Sequence, residues 1–152
     1  MRQFSFRTAS LTDLPAIVAL LADDELGRGR ELMGTPLDAR YVAAFEAIAA
    51  DANQRLVVAV DADTVVGTLQ LSFIPGIAHT GAWRGQIEGV RIAAPLRGSG
   101  IGQQMLEWAL AECRARGCSV VQLTTDKRRT DAHRFYERLG FVASHAGYKL
   151  TL

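Results

Sequence analysis

The pattern of apolar and polar positions predicts a strand and then a helix at the start of the chain. The segment QFSFRTA, residues 3–9, alternates between apolar and polar side chains as a half-buried strand does. Ser10, with Asp13 three residues later, is typical of the first turn of a helix. Four apolar residues then recur at helical spacing and share one face: Leu14, Ile17, Val18 and Leu21. The polar stretch 23–36 carries three glycines and is expected to be a loop or a broken helix.

The middle of the chain predicts a second helix, a hairpin and a third long strand. Thr35 and Pro36 suit an N-cap followed by proline at the first helical position. The face of this helix is expected to comprise Tyr41, Phe45 and Ile48. Two β-rich runs on either side of the turn 61–63 predict a hairpin. In the following strand, RGQIEGVRIA, Gly89 interrupts the pattern, as a glycine at a β-bulge does.

The last third of the chain predicts a helix, a strand, a second helix and two short strands. A glycine-rich turn at 98–102 opens the first of these helices. The strand SVVQLTT, 119–125, has a continuous apolar centre, which is expected of a buried position. DAHRFYERLG, 131–140, is a short helix, and 141–152 is expected to close as two short strands. This order predicts one α/β domain over 1–152, with a mixed, mostly antiparallel central sheet flanked by about four helices.

Composition and charge exclude several classes of function. With 152 residues and a formal net charge of +1, the chain offers no overall basis for binding nucleic acid or an anionic membrane. No stretch approaches the ~20 apolar residues of a spanning helix, and the N-terminus lacks the apolar run of a signal peptide. A cytoplasmic protein is therefore expected. The two cysteines, Cys113 and Cys118, are expected to be free thiols, and the sequence places too few ligands near them for a metal site.

The turn RGSGIGQ, residues 97–103, is the strongest chemical signal in the chain. It lacks the third glycine of a dinucleotide-binding turn, since Gln103 stands there, and it lacks the lysine of a nucleoside-triphosphate loop. Small residues at the start of a helix let several backbone N–H groups face one anion, and the helix dipole adds to the attraction. Arg97 can add a side-chain fork. Either a phosphate-binding turn or a plain tight corner would explain the glycines taken alone.

Two segments together resemble the GNAT superfamily of acyl-CoA-dependent N-acetyltransferases. EGVRIAAPLRGSGIGQQMLEWAL, 88–110, resembles its R/Q-x-x-G-x-G/A pyrophosphate loop, and DAHRFYERLGF, 131–141, resembles its A-x-x-F-Y-x-x-x-G-F motif. One strand separates the two segments, as in the family. The resemblance implies that the ligand of the glycine turn is the pyrophosphate of coenzyme A. It also implies a parallel strand pair at the cofactor site and acetyl-CoA as co-substrate, with no metal.

The family pattern, carried over by position, implies a set of cofactor-binding residues. Strand backbone at Val90 and Ile92 would serve the pantetheine arm, and Tyr136 would lie near the thioester sulfur. The pyrophosphate would be surrounded by Arg97, Gly98, Ser99, Gly100, Ile101, Gly102 and Gln103. The family often has an asparagine where this chain has Arg129, so Arg129 would either contact a phosphate of coenzyme A or face water.

Two residues are candidates for acid–base catalysis. Glu88, just before Gly89, is the candidate base, because a lysine-like ammonium must lose a proton before it can attack. The alternative is a solvated glutamate or an ion pair with Arg84 or Arg91. Tyr136 is the candidate acid for the leaving thiolate, and its alternative is a core aromatic beside Phe135 and Phe141.

The expected activity is transfer of an acetyl group from acetyl-CoA to a primary amine of a small molecule or peptide, by direct attack in a ternary complex. The acceptor is expected near 26–34, 77–83 and 144–148, where acidic and basic residues occur together and leave its charge open. A non-catalytic module or sensor that binds coenzyme A or an acyl-CoA is the alternative, and a nicotinamide oxidoreductase is disfavoured by Gln103. A homodimer is compatible with the sequence.

Overall fold

The computed structural model describes residues 2–152, which form a five-stranded mixed sheet and five helices. The strands are β1 (Ser5–Thr8), β2 (Gln54–Asp61), β3 (Thr64–Pro75), β4 (Trp83–Ile92) and β5 (Cys118–Leu123). The helices are α1 (Leu14–Ala22), α2 (Ala39–Ala50), α3 (Ala78–Gly81), α4 (Ile101–Ala115) and α5 (Thr130–Arg138). The strands lie in the order β1-β2-β3-β4-β5, antiparallel up to β4, with β4 and β5 parallel across the α4 crossover. The predicted mixed α/β architecture is confirmed.

The described chain divides into two compact units. The larger unit extends to Gln122 and holds β1 to β4, helices α1 to α4 and almost all of β5. The smaller unit, Leu123–Leu152, holds α5. The single domain over 1–152 stays a prediction.

The two faces of the sheet carry different helices in the larger unit. One buried cluster joins the sheet to helices α1 and α2: Ala9, Ile17, Val58 and Val60, with Leu21, Phe45, Leu56 and Val65 packed against it. Side chains alternate between faces along a strand, so Arg55 points the opposite way from Leu56. Arg55 pairs with Glu112 of α4. Helices α1 and α2 therefore cover one face of the sheet and α4 covers the other.

The first helix begins where the sequence predicts, through a reciprocal cap. The Ser10 N–H donates to the Asp13 carboxylate at 2.7 Å, and the Ser10 hydroxyl donates to it at 3.1 Å. Arg7 of β1 donates twice to the same carboxylate, at 2.7 and 3.0 Å. The Arg7 guanidinium is the main cause that lowers the pKa of Asp13 to about 2. A short 3-10 turn, Leu11–Asp13, precedes α1.

We expect Asp13→Asn to destabilise the protein at neutral pH and to have less effect in acid. The lowered pKa means that the carboxylate contributes stability above its unfolded pKa near 4, and this contribution disappears as the pH falls towards 2. A shift of this size corresponds to about 2 kcal/mol at pH 7. Urea unfolding at several pH values between 3 and 7 measures it. A difference between wild type and variant that does not shrink towards pH 3 would contradict the assignment.

The predicted bulge at Gly89 is confirmed by the register of β3 and β4. Thr68 lies opposite Arg91 and Gln70 lies opposite Glu88, so two residues of β4 occupy the space of one on β3. Gly89 has a φ of 62°, a left-handed conformation that favours glycine. The bulge breaks the regular pairing beside Glu88.

The N-cap predicted at Thr35 is wrong. Helix α2 begins at Ala39, and its N-cap is Asp38, whose carboxylate accepts a hydrogen bond from the Arg40 backbone N–H at 2.9 Å. The Arg40 side chain also donates to the Asp38 carboxylate, at 2.9 and 3.0 Å. The N-cap, whose charge is paired with Arg40, thus lies three residues after Thr35.

Two expectations for the end of the chain are also wrong. Strand β5 is the last strand of the sheet, so it is paired on one side only, and Val120 is 54% exposed where a buried strand was expected. Residues 141–152 form neither of the two predicted strands. In this segment Val142, Tyr148 and Leu150 are exposed. A segment with an alternating pattern forms a strand only when it pairs with the free edge of another strand. The sequence does not identify which edge that would be.

The two cysteines are free thiols, as predicted. Cys113 is buried on α4, and burial raises its pKa to about 11. Helices that would suit a bilayer in length and apolar character do not occur between residues 2 and 152.

Candidate functional site

The glycine turn opens α4 with two left-handed residues. Gly98 has a φ of 80° and Gly100 has a φ of 90°, and Gly100 is the N-cap of the helix. A Cβ built on either glycine would meet nothing within 4 Å, so open space lies against the backbone here. The first N–H groups of an α-helix have no partner within the helix, and Gly100 has no side chain to cap them. The turn therefore leaves the first backbone N–H groups of α4 without a capping side chain, next to open space.

Three side chains of this turn are buried or already engaged. Ile101 is 1% exposed, so it could reach a ligand only through its backbone. The Gln103 amide donates to Glu107 one helical turn later, at 2.8 Å. Arg97 donates to the backbone carbonyls of Ile92 (3.1 Å) and Asp23 (3.0 Å). In this arrangement Arg97 fastens the end of β4 to the end of α1, and a pyrophosphate would rely mainly on backbone donors.

The segment after α1 is attached to β4 next to the bulge. Asp24 forms an ion pair with Arg91 at 3.0 Å, and both side chains are 16% exposed. The Asp24 carboxylate also accepts a hydrogen bond from the Gly27 N–H. A Cβ on Gly27 would lie 2.0 Å from the Leu21 carbonyl oxygen, so only glycine fits this close approach. These contacts hold the start of the expected acceptor loop beside Val90 and Ile92.

The charges of the acceptor loop are not equally available. Three of the four acidic groups in the stretch 23–31 have partners, because Asp23 lies 3.7 Å from Arg97, Asp24 pairs with Arg91, and Glu31 accepts from the Tyr41 hydroxyl at 2.6 Å. The fourth, Glu25, is exposed and forms no ion pair with any residue in the range 2–152. The Tyr41 oxygen also accepts from the Leu32 N–H at 2.9 Å, which ties the far end of the loop to α2.

Two arginines occupy the tip of this loop. Arg28 and Arg30 flank Gly29, their side chains are exposed, and neither forms an ion pair with any residue in the range 2–152. Backbone hydrogen bonds of 3.0 Å from Arg28 to Asp24 and from Arg30 to Gly27 close the tip into a tight turn. The loop thus presents two guanidinium groups between its two attachment points.

Glu88 lies at the bulge with an exposed carboxylate. It accepts a hydrogen bond from the Gln86 amide at 2.5 Å. The ion pair with Arg91 that was one alternative is not formed, because Arg91 pairs with Asp24. An available carboxylate next to Val90 is what the role of a base requires.

Sequence analysis missed a row of polar side chains that crosses the face of the sheet on which Glu88 lies. Gln54 of β2 accepts hydrogen bonds from Gln70 (3.0 Å) and Ser72 (2.8 Å) of β3, and Gln122 of β5 donates to Gln86 of β4 (2.8 Å). Alternation places Gln54 on the face of Leu56, which α1 and α2 cover elsewhere. The signal was present as polar residues two positions apart, at 70 and 72 and again at 86 and 88.

The other candidate residues lie in the smaller unit. Tyr136, on α5, has its ring 5.3 Å from the Phe135 ring and 5.9 Å from the Phe141 ring, both edge-on. Arg129 directly precedes α5, and its backbone N–H donates to the Asp126 carbonyl at 2.9 Å. Both aromatic neighbours expected for Tyr136 are present. Its role as acid and the role of Arg129 stay predictions.

No group of three or more metal-ligating side chains is found within residues 2–152. The donors of the candidate site are backbone amides, glutamines and arginines, and these suit a phosphate ligand and a polar acceptor.

Comparison with known proteins identifies the family. Residues 17–141 match the acetyltransferase (GNAT) family. An aminoalkylphosphonate N-acetyltransferase from Salmonella typhimurium (strain LT2) is 34% identical over 147 residues, which cover 96% of this chain and 90% of that protein. A Bacillus halodurans C-125 structure described as a transcriptional regulator is 48% identical, with a TM-score of 0.96 over 99% of this chain and 100% of that one. A structure from Agrobacterium tumefaciens str. C58 assigned to the acetyltransferases is 26% identical, with a TM-score of 0.85 over 97% of this chain and 99% of that one. With this match over most of its length, the chain belongs to the GNAT family of acetyltransferases.

Proposed function

We propose that the protein transfers the acetyl group of acetyl-CoA to the primary amine of a small molecule, by direct attack in a ternary complex. The observation that carries the proposal is the open glycine turn at the start of α4, which lies within the family match and follows the bulged strand β4. Its positive φ angles and empty Cβ positions suit a pyrophosphate held against the backbone.

The residues that would hold the cofactor divide by the kind of contact. Backbone N–H groups of residues 98–103, apart from that of Ser99, which donates to the Leu96 carbonyl at 3.1 Å, would bind the pyrophosphate. The backbone of Val90 and Ile92 would bind the pantetheine amides. Arg129, in the smaller unit, would contact a phosphate. Bound in this way, acetyl-CoA supplies an activated acyl group as a thioester.

In the proposed reaction a new C–N bond forms as the C–S bond of the thioester breaks. Glu88 would take the proton that the acceptor ammonium must lose, because an ammonium with a pKa near 10.4 has no lone pair for attack. A backbone N–H near Val90 would donate to the developing oxyanion. Tyr136 would give its proton to the departing thiolate. Holding the amine and the thioester together makes a covalent enzyme intermediate unnecessary.

The charges at the acceptor loop favour an amine that also carries an anionic group. Its acidic side chains at 23, 24 and 31 have partners, so the exposed charges are those of Arg28 and Arg30 against the single carboxylate of Glu25. A guanidinium pair suits a phosphonate, phosphate or carboxylate through forked hydrogen bonds. The Salmonella relative is named for an aminoalkylphosphonate substrate, which combines an amine with such an anion.

We expect amines with an anionic group to be acetylated in preference to neutral amines of the same length. The assay measures release of free thiol from acetyl-CoA with matched pairs, such as 2-aminoethylphosphonate and propylamine. A preference of about 10-fold or more in kcat/KM corresponds to one charge-assisted hydrogen bond. The double variant Arg28→Gln, Arg30→Gln should lose most of this preference.

Arg114, exposed at the far end of α4, provides the matched control, and Arg114→Gln should keep the preference. Equal turnover of charged and neutral amines would contradict the acceptor class and leave acetyl transfer standing.

A second candidate is a sensor that binds acetyl-CoA without turnover. The observation in its favour is the 48% identity to the Bacillus halodurans protein that is described as a transcriptional regulator. The same assay separates the two candidates. Acetyl-CoA binding by calorimetry, with no thiol release for any amine of the panel, would support the sensor.

A further inference from the structure

The carboxylate of Glu88 is held by a chain of two amides that spans two strands. Gln122 of β5 donates to the Gln86 oxygen at 2.8 Å, and the Gln86 amide nitrogen donates to Oε1 of Glu88 at 2.5 Å. An ionised carboxylate can only accept hydrogen bonds, so the nitrogen of Gln86 must face Glu88. The oxygen of Gln86 is then left to accept from Gln122. The negative charge of Glu88 therefore sets the donor-to-acceptor direction of both hydrogen bonds.

Gln70 provides a natural comparison for Gln86. It lies directly opposite Glu88 in the register of β3 and β4, and it is half-buried, as Gln86 is. Its amide nonetheless donates to Gln54 at 3.0 Å, away from Glu88. Two glutamines therefore adjoin the same carboxylate, and the described hydrogen bond to it comes from Gln86.

Among the charged groups around β4, Arg84 lies on the same face as Glu88 by alternation, whereas Arg91 and Glu112 have partners elsewhere. Helix α1, which packs on β4, has the sequence LPAIVALLA and carries no charge. Arg91 of β4 pairs with Asp24. The Glu112 side chain of α4 pairs with Arg55 on the opposite face of the sheet. The strand neighbours of Glu88 on this face, Gln70 and Gln86, are uncharged.

We propose that Gln86 is a positioning residue that occupies Oε1 of Glu88 and leaves Oε2 presented to the acceptor ammonium. Gln122 fixes Gln86 in the orientation that makes this bond. The inference rests on the proposed function, in which Glu88 accepts the ammonium proton. The proton passes to Oε2, and Gln86 keeps its own protons throughout. A hydrogen bond to the charged form of a carboxyl group favours that form.

The test compares pH–rate profiles of kcat/KM for the amine with the best turnover in the panel. Gln86→Met removes the donor at nearly constant length and should lower kcat by about 10-fold. It should also move the acidic limb of the profile to higher pH. Gln86→Glu places a like charge beside Glu88 and should move that limb further in the same direction. Gln70→Met, the matched control, should leave the limb where it is in the wild type.

The measurements separate a positioning role from simple loss of structure. The melting temperature and the acetyl-CoA affinity measured by calorimetry should be nearly unchanged in Gln86→Met. A structural defect would instead change these two quantities together with the pH–rate profile. Gln122→Met should cause a smaller shift of the same sign. A wild-type kcat and acidic limb in Gln86→Met would overturn the proposal.

One further variant distinguishes this inference from the function on which it rests. Glu88→Gln should lower kcat and move the rise of the rate to the higher pH at which the acceptor ammonium itself loses its proton. If it does so while Gln86→Met behaves as wild type, Glu88 is the base and the role of Gln86 is wrong. If Glu88→Gln keeps the wild-type profile, the base is another group and both assignments fail. If the wild type releases no thiol with any amine, acetyl transfer itself is refuted.

Discussion

Gly100→Asp is expected to abolish the binding of acetyl-CoA. A Cβ at this position would enter open space against the backbone at the start of α4, where we place the pyrophosphate. A carboxylate there would occupy the anion's position and repel it. The φ of 90° adds backbone strain for any residue other than glycine. We expect affinity measured by titration calorimetry to fall by about 10²-fold or more, equivalent to about 3 kcal/mol.

Two control variants separate charge from strain and from folding. Gly117 follows the other end of α4, has a φ of 77° and also has open space around its Cβ position. Gly117→Asp should therefore cost stability but keep acetyl-CoA affinity. Gly100→Ala introduces the strain without the charge and should weaken binding less than Gly100→Asp. Tight NADH binding by the wild type, with no heat from acetyl-CoA, would refute the assignment of the turn.

Tyr136→Phe is expected to lower kcat and leave acetyl-CoA affinity nearly unchanged. The change removes one hydroxyl and keeps the ring, whose edge-on contacts with Phe135 and Phe141 should persist. General acid catalysis typically raises the reaction rate by 10²–10⁴-fold. A fall of roughly 10²-fold in kcat is therefore expected if this hydroxyl protonates the thiolate. Steady-state thiol release gives kcat, and calorimetry gives the affinity.

Tyr148, 94% exposed in the same unit, provides the control for loss of a tyrosine hydroxyl. Tyr148→Phe should match the wild type in acetyl-CoA affinity and in kcat at saturating acceptor, and its place in the expected acceptor segment 144–148 would affect only the KM of the acceptor. Full wild-type turnover by Tyr136→Phe would mean that Tyr136 serves only as a packed aromatic, and that water or another group protonates the thiolate.

Features that depend on a few neighbouring residues could be predicted from the sequence. The cap between Ser10 and Asp13 and the bulge at Gly89 both appear at the expected positions. The glycine turn at 98–102 opens α4 as expected. Each of these features follows from local backbone sterics and hydrogen bonds within a few residues, which the order of the residues determines directly.

Features that depend on what lies across the fold were decided by the tertiary structure alone. Counting charges in the sequence did not indicate the charge of the acceptor. The fold shows which charges of the loop are engaged, as in the ion pair of Asp24 with Arg91. The bond from Gln122 to Gln86 also joins residues far apart in the chain, through the parallel pairing of β4 and β5. Strand β5 resembled a buried strand by composition, yet its place at the end of the sheet leaves Val120 exposed. By itself the sequence determined the family, the order of elements as far as the second short helix, and the glycine turn that opens α4. The sheet register decided the partners of the candidate base and of the loop charges, because a side chain's partner across a sheet depends on which strands pair and at which residue.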